Sequence, residues 1–437
     1  MHIKRWVGLF MLSIISTSLA LAMGLAWIYR HYEFPERLTG LVQTVTLQFI
    51  PHPFREIIIL TLGIGLLAFS FFKMSSSVLR PLIAQTSGNL ALAQIVAEHR
   101  FGPERPALNI VSIGGGTGLS TLLRGLKHHS VGITAIVTVS DDGGSTGRIR
   151  REFDIPAPGD IRSCIVALAD AESTVGKLFQ YRFDKEGSEL AGHSFGNLFI
   201  TALAQITGSF EQAVIESARV LAVRGRVLPS TLENVNLCAE LVDGSVVCGE
   251  STIVRNKPPI KRIFLDPENP NPYEPALAAI LGADLIVLGP GSLYTSVLPN
   301  LHVDGITQAI RWSRGTAVYV CNVATQPGET DHFAASDHIQ TIIDHLGPGV
   351  LSYALVNNNR AVVSAIKPEW NVDPVTDEHT ESLEGKVTVI ARDVISDQNP
   401  LRHDPEKLSL ALLEIARRPR SNGVARKPAA ELATVGA

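Results

Sequence analysis

Apolar residues along most of this chain fall into short runs of four to seven residues, separated by polar or glycine-rich turns. Six of these runs are rich in β-branched residues and predict buried strands: Ile110–Ile113, Ile133–Val139, Leu285–Leu288, Ala317–Val320, Val350–Leu355 and Val387–Ile390. The stretches between them predict helices, because apolar residues recur there three or four positions apart, as in Leu119, Leu122, Leu123 and Leu126. This alternation predicts an α/β fold over residues 107–400, with a mostly parallel sheet and helices on both faces.

A different pattern predicts an antiparallel β-hairpin between residues 235 and 254, where two strand-like segments flank Asp243-Gly244. A two-residue turn would place Ala239 opposite Cys248, and Cys238 would then lie on the other face of the hairpin. We therefore expect no disulfide between these two cysteines. The chain has four cysteines and no C-x-x-C spacing, so we expect reduced thiols and no zinc site.

Two longer apolar segments precede the α/β region. Trp6–Tyr29 contains 24 residues without a charge, which is enough to span a bilayer, and Ile57–Phe72 adds 16 more. We predict a two-helix transmembrane hairpin within residues 1–74, followed by a linker over residues 75–106. A signal peptide cleaved near residues 20–22 is the alternative for the first segment, but the apolar run continues past that point.

The positive charges around the two apolar segments do not fix their orientation. We expect the large domain to be cytoplasmic, anchored to the cytoplasmic membrane, because nucleotide-type ligands and free cysteines occur there. The net charge of −4 and the pI of about 6.4 give no positive field of the kind that binds nucleic acid. For residues 401–437 we expect a C-terminal helix and then a disordered tail, since the sequence becomes basic and then small and polar.

The first predicted strand ends in a glycine-rich turn, G-G-G-T-G over residues 114–118, which leads directly into a helix. Glycine lets backbone N–H groups approach a ligand closely, and a helix N-terminus attracts anions. We therefore expect an anion to bind at Gly115, Gly116, Thr117 and Gly118. The alternative is a turn that only packs the helix onto the sheet. Thr121 replaces the third glycine of the dinucleotide fingerprint, and no P-loop sequence is present, so neither NAD nor a P-loop kinase is favoured.

The second strand ends in another turn, D-D-G-G-S-T-G over residues 141–147. Asp141 and Asp142 form the best carboxylate pair of the chain, and such a pair binds Mg²⁺ or sugar hydroxyls. Asp142 is the candidate metal ligand. The alternative is that the two residues only form the turn and cap the following helix, as aspartates commonly do.

Two further turns carry polar candidates. Arg162 follows a Pro-Gly turn, and its guanidinium group has the planar shape that suits a phosphate. The segment 192–197 opens a predicted helix and contains His193 and Asn197; the Asn197 amide could bind a base or a sugar edge. The alternatives are a surface arginine for Arg162 and a helix cap for His193.

The strand at residues 285–288 runs into a third glycine turn, which makes it a second candidate phosphate site through Gly289, Gly291, Ser292 and Tyr294. Asn322 and the segment 325–330 follow the next strand. Because ligands of parallel sheets bind at the carboxyl ends of the strands, we expect all these turns to line one cleft. No nucleophile elbow emerges, because residues 192–196 read G-H-S-F-G but follow no predicted strand, and no H-E-x-x-H sequence is present; we therefore predict no catalytic residue.

Taken together, the turn sequences resemble those of the gluconeogenesis factor (YvcK-type) family, which is related to the 2-phospho-L-lactate transferases (CofD-like) of deazaflavin coenzyme synthesis. Six runs carry the resemblance, in family order: G-G-G-T-G-L-S at 114–120, S-D-D-G-G-S-T-G-R at 140–148, P-G-D-I-R at 158–162, G-H-S-F-G-N-L at 192–198, G-P-G-S-L-Y-T-S-V-L-P-N at 289–300 and T-Q-P-G-E-T at 325–330. The chain departs from the family at Ser163, where Asn is common, which puts only that contact in doubt.

The resemblance implies a Rossmann-like domain that binds a UDP-sugar, UDP-N-acetylglucosamine in the best-known members. It also implies a role in cell shape and cell-wall precursor metabolism during gluconeogenic growth. The transferase relatives use Mg²⁺, and we expect no other cofactor. The expected partners are the UDP-sugar, the membrane, cell-wall or regulatory proteins and a second copy of the chain.

Two classes of function remain open at this point. The first is a regulatory protein that senses a nucleotide sugar. The second is a Mg²⁺-dependent transferase that moves a phosphate-linked group from a nucleoside diphosphate donor. The lack of an evident catalytic base favours the first class only weakly, because phosphoryl transfer depends mainly on positioning and charge stabilisation. A membrane-tethered scaffold with a decayed pocket is a third option, and the intact turns argue against it.

Overall fold

The structure, a computed structural model, describes residues 51, 54 and 108–418, except for 171–173, 186, 256–258, 364–365 and 379. Ten strands are present in this part of the chain: β1 Asn109–Gly114, β2 Gly132–Val137, β3 Arg226–Pro229, β4 Asn236–Leu241, β5 Val246–Cys248, β6 Ile260–Asp266, β7 Leu285–Leu288, β8 Thr316–Val320, β9 Tyr353–Asn357 and β10 Thr388–Arg392.

Helices follow most of these strands. The α-helices are α1 Gly116–Leu126, α2 Gly144–Phe153, α3 Pro158–Leu168, α4 Thr174–Gln180, α5 Phe195–Thr207, α6 Phe210–Val220, α7 Glu250–Ile253, α8 Glu274–Leu281, α9 Leu298–Leu301, α10 Ile306–Trp312, α11 Ala335–Leu346, α12 Arg360–Val363 and α13 Pro405–Ala416. A π-helical turn, Leu293–Val297, precedes α9, and two short 3-10 helices cover Pro368–Trp370 and Glu381–Leu383.

Seven strands form one sheet in the order β10-β9-β8-β7-β1-β2-β3, and every neighbouring pair is parallel. The chain adds strands on one side from β1 to β3 and on the other side from β7 to β10. The order therefore reverses between β1 and β7. The turns that leave two such strands diverge to opposite faces of the sheet and open a crevice between them, which is where α/β proteins bind ligands.

The core lies on both faces of this sheet. All residues of β7 are fully buried, and so are Leu119, Leu122, Leu123 and Leu126 of α1, as their spacing predicts. The predicted Rossmann-like α/β fold is thus confirmed. The strand β3 was not predicted because its sequence, R-V-L-P, is too short to show a pattern. Likewise, β9 begins at Tyr353 and not at Val350, because residues 348–350 form a turn.

The predicted hairpin is present as β4 and β5, and β6 extends it to a three-stranded antiparallel sheet in the order β5-β4-β6. The expected register was wrong. Cys238 pairs directly with Cys248, and the two form a disulfide. The reason is a three-residue loop, in which Gly244 adopts φ +83° and donates its N–H to the carbonyl of Leu241. The expectation of four reduced cysteines is wrong as well; only Cys164 and Cys321 are free.

The predicted transmembrane hairpin and the linker lie almost entirely outside the described residues, as does the tail from residue 419. Among the residues that are described, no helix is both long and apolar enough to cross a membrane.

Candidate functional site

The crevice between β1 and β7 is a cleft of about 550 Å³. The β1–α1 turn lines one wall with Gly115, Gly116, Thr117 and Gly118, and the turn after β7 lines the opposite wall with Gly291 and Ser292. Asp141, at the carboxyl end of β2, also faces it. The convergence of these three turns was predicted from the sequence, and the position of each follows from the parallel sheet.

The helix α1 begins at the cleft without a side-chain cap. Its N-cap residue is Gly115, which has no side chain to accept a capping hydrogen bond. No acidic residue lies in the first turn of α1. Gly116 has φ +60°, a conformation that favours glycine. An uncapped helix N-terminus presents backbone N–H groups and the positive end of the helix dipole, so this wall can bind an anion.

Gly118 lines the cleft and also has a packing role. A Cβ atom on this residue would lie 2.6 Å from the carbonyl oxygen of Pro290 and 2.8 Å from the Cα of Gly291. The residue is a glycine because the two cleft turns approach each other there. Gly118 thus fixes the width of the cleft through packing.

The turn after β7 is held by two amide side chains from the loop after β8. Asn322 Nδ2 donates to the carbonyl of Gly291 at 2.9 Å, and the Gly291 N–H donates to Asn322 Oδ1 at 3.3 Å. Gln326 Nε2 donates to Ser292 Oγ at 2.6 Å and its Oε1 accepts from Asn322. The residues of this wall are therefore positioned before any ligand binds.

The N-terminal N–H groups of the π-helical turn, predicted as part of a second phosphate site, already have an anionic partner. The carboxyl group of Glu329 accepts from the backbone of Tyr294 and Thr295 and from the Ser292 hydroxyl, while burial raises its pKa to about 7. Thr295 Oγ1 donates to Glu329 Oε1 at 3.2 Å. In this segment Pro290, Gly291, Ser292 and Ser296 line the cleft, whereas Tyr294 and Thr295 do not.

Gly289 and Tyr294 lie outside the lining. Gly289 adopts φ +80° just before a cis bond to Pro290, and so shapes the turn. The Tyr294 ring packs against Phe333, with the ring centroids 6.3 Å apart, and its side chain is largely buried. These two residues therefore shape and pack the turn without lining the cleft.

Three half-buried carboxyl groups, those of Asp141, Asp160 and Glu250, line one part of the cleft. Desolvation raises the pKa of each, and repulsion by a neighbouring carboxylate adds to it: Asp142 for Asp141, and Asp141 for both Asp160 and Glu250. The pKa reaches about 7 for Asp160 and about 9 for Glu250. Asp160 also accepts the Gly116 N–H, so it holds the first turn in place. The acidic groups therefore lie against the N-terminus of α1, where Asp160 takes the first N–H of the helix.

Oxygen ligands of this kind suit Mg²⁺. Within the described residues, however, no group of three or more His, Cys, Asp or Glu side chains is placed to hold a metal ion. Mg²⁺ commonly binds through one or two carboxylates and completes its shell with water and substrate phosphates. The residues thus fit a cation that enters together with a phosphate ligand, with Asp141 and Asp160 as the protein ligands.

Asp142, the predicted metal ligand, points away from this cluster. Its Oδ1 accepts the N–H of Ser251 at 2.9 Å, at the start of α7, and its Oδ2 would lie 2.3 Å from a Cβ on Gly249. It does not line the cleft. The two aspartates therefore divide the roles that the sequence allowed: Asp141 faces the ligand side, and Asp142 caps a neighbouring helix.

Arg162, His193 and Asn197 also lie outside the cleft lining. His193 Nδ1 and Asn197 Nδ2 both contact the Ser145 hydroxyl, at 3.0 and 3.2 Å, and so link α5 to the start of α2. The Arg162 side chain packs against Gly196 and lies close enough to Asp160 to affect its pKa. The three residues form a supporting layer behind the Asp141 turn.

The sequence did not reveal several residues that line the cleft, namely Glu250, Val372, Asn399, Leu401, Arg402 and His403. Glu250 comes from the end of the hairpin, and the last four come from the segment before α13. They carry no glycine turn and follow no strand of the main sheet directly. Arg402 is the cationic residue of this lining and is exposed.

A parallel sheet with glycine turns and an open helix N-terminus at its switch point defines a doubly wound α/β protein with a polar ligand cleft. The family described as 2-phospho-L-lactate transferase CofD matches residues 110–395. The gluconeogenesis factor of Bacillus subtilis is 48% identical over 310 residues, which cover 70% of this chain and 97% of the relative. The chain therefore belongs to the gluconeogenesis factor family, which is related to CofD.

Three further comparisons agree. The gluconeogenesis factor of Halalkalibacterium halodurans is 49% identical over 310 residues, covering 96% of that protein. A solved structure of a UPF0052 family member from Bacillus halodurans has a TM-score of 0.66 and 48% identity, and the match covers 70% of this chain and 99% of that one. A relative from Nostoc sp. is 43% identical and covers 95% of this chain, so that match includes most of the residues before Leu108.

Proposed function

We propose that this protein binds a UDP-sugar, with UDP-N-acetylglucosamine as the first choice, and uses the bound state to regulate cell-wall precursor metabolism and cell shape. One observation carries the proposal: the N-terminus of α1, where Gly115 provides no side-chain cap and Asp160 accepts the N–H of Gly116, faces Gly291 and Ser292 across the cleft at the switch point of the sheet. Both walls offer donors, and the distance between them is fixed by packing at Gly118.

The diphosphate of such a ligand would bind between these two walls. Thr117 and Gly118 supply N–H groups of the first turn of α1, Ser292 supplies a hydroxyl, and Arg402 adds a positive charge at the rim. The uridine or the sugar would extend over the apolar side chains of Val323, Val372 and Leu401, which line the same cleft.

The cleft favours sensing over turnover. Its one histidine, His403, is buried and contacts the carbonyl of Cys321 at 3.1 Å, and burial lowers its pKa to about 4. It is therefore neutral at pH 7 and does not face a nucleophile among the described lining residues. Regulation would then depend on how the bound ligand changes the surface presented to a partner protein.

A Mg²⁺-dependent transferase of the 2-phospho-L-lactate transferase type is the second candidate. The match to that family and the carboxyl cluster of Asp141, Asp160 and Glu250 favour it. Phosphoryl transfer needs charge stabilisation more than a strong base, so the neutral His403 does not exclude it. Release of UDP or GDP from a nucleotide-linked donor in the presence of Mg²⁺ and an acceptor would establish turnover. A flat time course alongside measurable binding would favour the regulator.

Isothermal titration calorimetry of the purified full-length chain with UDP-N-acetylglucosamine, UDP-glucose and GTP tests the binding proposal. We expect heat with the UDP-sugars and little with GTP. Absence of heat and of a thermal shift with all three ligands, with and without Mg²⁺, would refute it.

We also propose that the domain lies on the cytoplasmic side of the membrane, anchored by the predicted hairpin of residues 1–74. The apolar segments Trp6–Tyr29 and Ile57–Phe72 support this placement. A reporter fused after Ala437 that is active only in the cytoplasm tests it. A reporter signal from the periplasm, or recovery of the full-length chain in the soluble fraction, would contradict it.

A further inference from the structure

The disulfide between Cys238 and Cys248 lies next to the wall of the ligand cleft. Cys248 is the last residue of β5, and Glu250, two residues further, lines the cleft. The connecting residue, Gly249, has φ +97°, a conformation that favours glycine, and lies against the Asp142 carboxylate. Only this one residue separates Cys248 from Glu250.

Without the disulfide, β5, the strand that carries Cys248, would be held only weakly. β5 has three residues and pairs with β4 only, because it is the edge strand of the small sheet. Beyond it, the segment is fixed by the Gly249 N–H donating to the Leu237 carbonyl at 2.8 Å and by the Ser251 N–H donating to Asp142. The disulfide is the only covalent link between β5 and β4 other than the loop itself.

The two sulfur atoms differ in their access to solvent. Cys238 is 1% exposed, whereas Cys248 is an exposed residue at the edge of the sheet. Exposed disulfides are the ones that exchange readily with thiols. In a reducing compartment, a disulfide of this kind is usually transient and has a redox role.

We propose that Cys238 and Cys248 form a thiol–disulfide exchange site for low-molecular-weight thiols. The redox state of this site controls how well ordered Gly249 and Glu250 are at the wall of the cleft. A thiolate attacks the Cys248 sulfur, the bond between the two cysteines breaks, and Cys238 leaves as a thiolate. A second thiol attacks the mixed disulfide, releases Cys248 as a thiolate and leaves with the first as a small-molecule disulfide. The reverse sequence, with a small-molecule disulfide as the oxidant, restores the bond.

The oxidised form holds β5 against β4 and keeps Glu250 beside Asp141 and Asp160. Reduction leaves the edge strand on its few backbone hydrogen bonds, so residues 249–253 open more often. Ligand affinity then falls, a consequence that rests on the proposed binding function. The other two cysteines do not interfere, because Cys164 and Cys321 are fully buried and burial raises the pKa of both thiols.

The full-length chain, treated with either oxidised glutathione or dithiothreitol and then freed of reagent, tests the proposal. Alkylation followed by mass spectrometry should label the exposed Cys248 only after reduction, and should leave the buried Cys164 and Cys321 unlabelled in the native protein. Hydrogen–deuterium exchange of residues 246–254 should be faster in the reduced form, while α1 remains unchanged. The dissociation constant for UDP-N-acetylglucosamine should rise about 3- to 10-fold on reduction, or roughly 0.7–1.4 kcal/mol.

The double variant C238S/C248S provides the matched control, since it should behave as the reduced form under both treatments. Two results would overturn the proposal: failure of the disulfide to form with oxidised glutathione, or equal exchange of residues 246–254 in the two redox forms. The exchange measurement requires no ligand. If UDP-N-acetylglucosamine binds to neither form, the proposed binding function is refuted. Hydrogen–deuterium exchange still tests the proposed thiol–disulfide site in that case.

Discussion

Asn322 binds the backbone of Gly291 through both atoms of its amide group, in the way that one strand pairs with another. Its Nδ2 donates to the Gly291 carbonyl at 2.9 Å, and its Oδ1 accepts the Gly291 N–H at 3.3 Å. Gly291 lies three residues beyond the end of β7, in a turn where its φ is +154°. A side chain from the next loop therefore sets the position of the ligand-facing turn.

Asn322→Asp should weaken ligand binding about 10-fold, because the carboxylate keeps the size of the amide but cannot donate to the Gly291 carbonyl. The free energy of unfolding should fall by about 1–2 kcal/mol, the usual cost of a buried hydrogen bond lost on one side. Calorimetry and urea denaturation measure the two effects. Asn322→Ala should lose at least as much affinity. If Asn322→Asp binds the ligand as tightly as the parent chain, the turn at Gly291 does not depend on the Asn322 amide.

Gly118→Ala should abolish ligand binding and lower the melting temperature, since the new Cβ would overlap Pro290 and Gly291. The cleft turns would have to separate to make room. Gly385→Ala is the control, because no atom lies within 4 Å of the Cβ position of Gly385; its φ of +75°, which Gly118 does not share, adds only a cost in stability. The control should lose some stability and keep its affinity. Retained affinity in Gly118→Ala would contradict the close approach of the two turns.

Ligand affinity should depend on pH in the absence of a divalent cation. The pKa values of Asp160 and Glu250 are raised to about 7 and about 9, so these carboxyls lose protons as the pH rises from 6 to 9. The added negative charge repels a diphosphate, and the dissociation constant should increase over this range. Mg²⁺ should remove most of the dependence by neutralising the carboxylates. Calorimetry at pH 6, 7.5 and 9 checks this; an affinity that rises with pH without Mg²⁺ would contradict it.

Asp160→Asn should raise the melting temperature at pH 8 and leave it almost unchanged at pH 4. In the folded state desolvation raises the pKa of this carboxyl from 3.8 to about 7, so the folded protein holds the proton more tightly than the unfolded chain. Stability is then complete below pH 4 and declines as the pH rises to about 7, by up to about 4 kcal/mol.

The amide that replaces the Asp160 carboxyl in this variant can still accept the Gly116 N–H, so the first turn should keep its shape. Differential scanning calorimetry from pH 4 to pH 8 should show a flatter profile for the variant. Parallel profiles for the variant and the parent chain would mean that Asp160 is ionised throughout.

Arg402→Ala should reduce affinity for a diphosphate ligand by 10-fold or more, because a charge-assisted hydrogen bond contributes about 1.5–3 kcal/mol. Arg314→Ala is the control: Arg314 is exposed and precedes β8, at the opposite end of the sheet. The parent, the variant and the control are compared by calorimetry at low and moderate salt. Equal losses in both variants would indicate a general charge effect and would remove Arg402 from the site.

Much of the site could be predicted because its walls are built from local sequence. Gly116 and Gly291 occupy backbone conformations that favour glycine, and each follows a strand whose β-branched residues are visible as a run. The carboxyl ends of parallel strands share one edge, so turns far apart in sequence had to meet. The sequence also indicated that one of Asp141 and Asp142 binds the ligand and the other caps a helix. It did not show which residue has which role.

Errors arose where one residue of register or one long-range contact decided the outcome. The pairing of Cys238 with Cys248 depends on a loop of three residues in place of two, which the D-G turn sequence does not specify. The part of the predicted second phosphate site in the π-helical turn is occupied by Glu329, which lies 34 positions after Thr295. No local pattern shows that a carboxylate from so distant a loop will take these N–H groups.

The sequence by itself determined the α/β class, the strands around the switch point and the glycine turns, because burial, helix period and backbone sterics act over a few residues. Only the tertiary structure decided which side chains face the ligand. Glu250 and Arg402 reach the cleft from the small sheet and from the segment before α13, while Asp142, His193 and Asn197 turn to support neighbouring helices. Those choices depend on packing between elements that are distant in the chain, which local patterns do not encode.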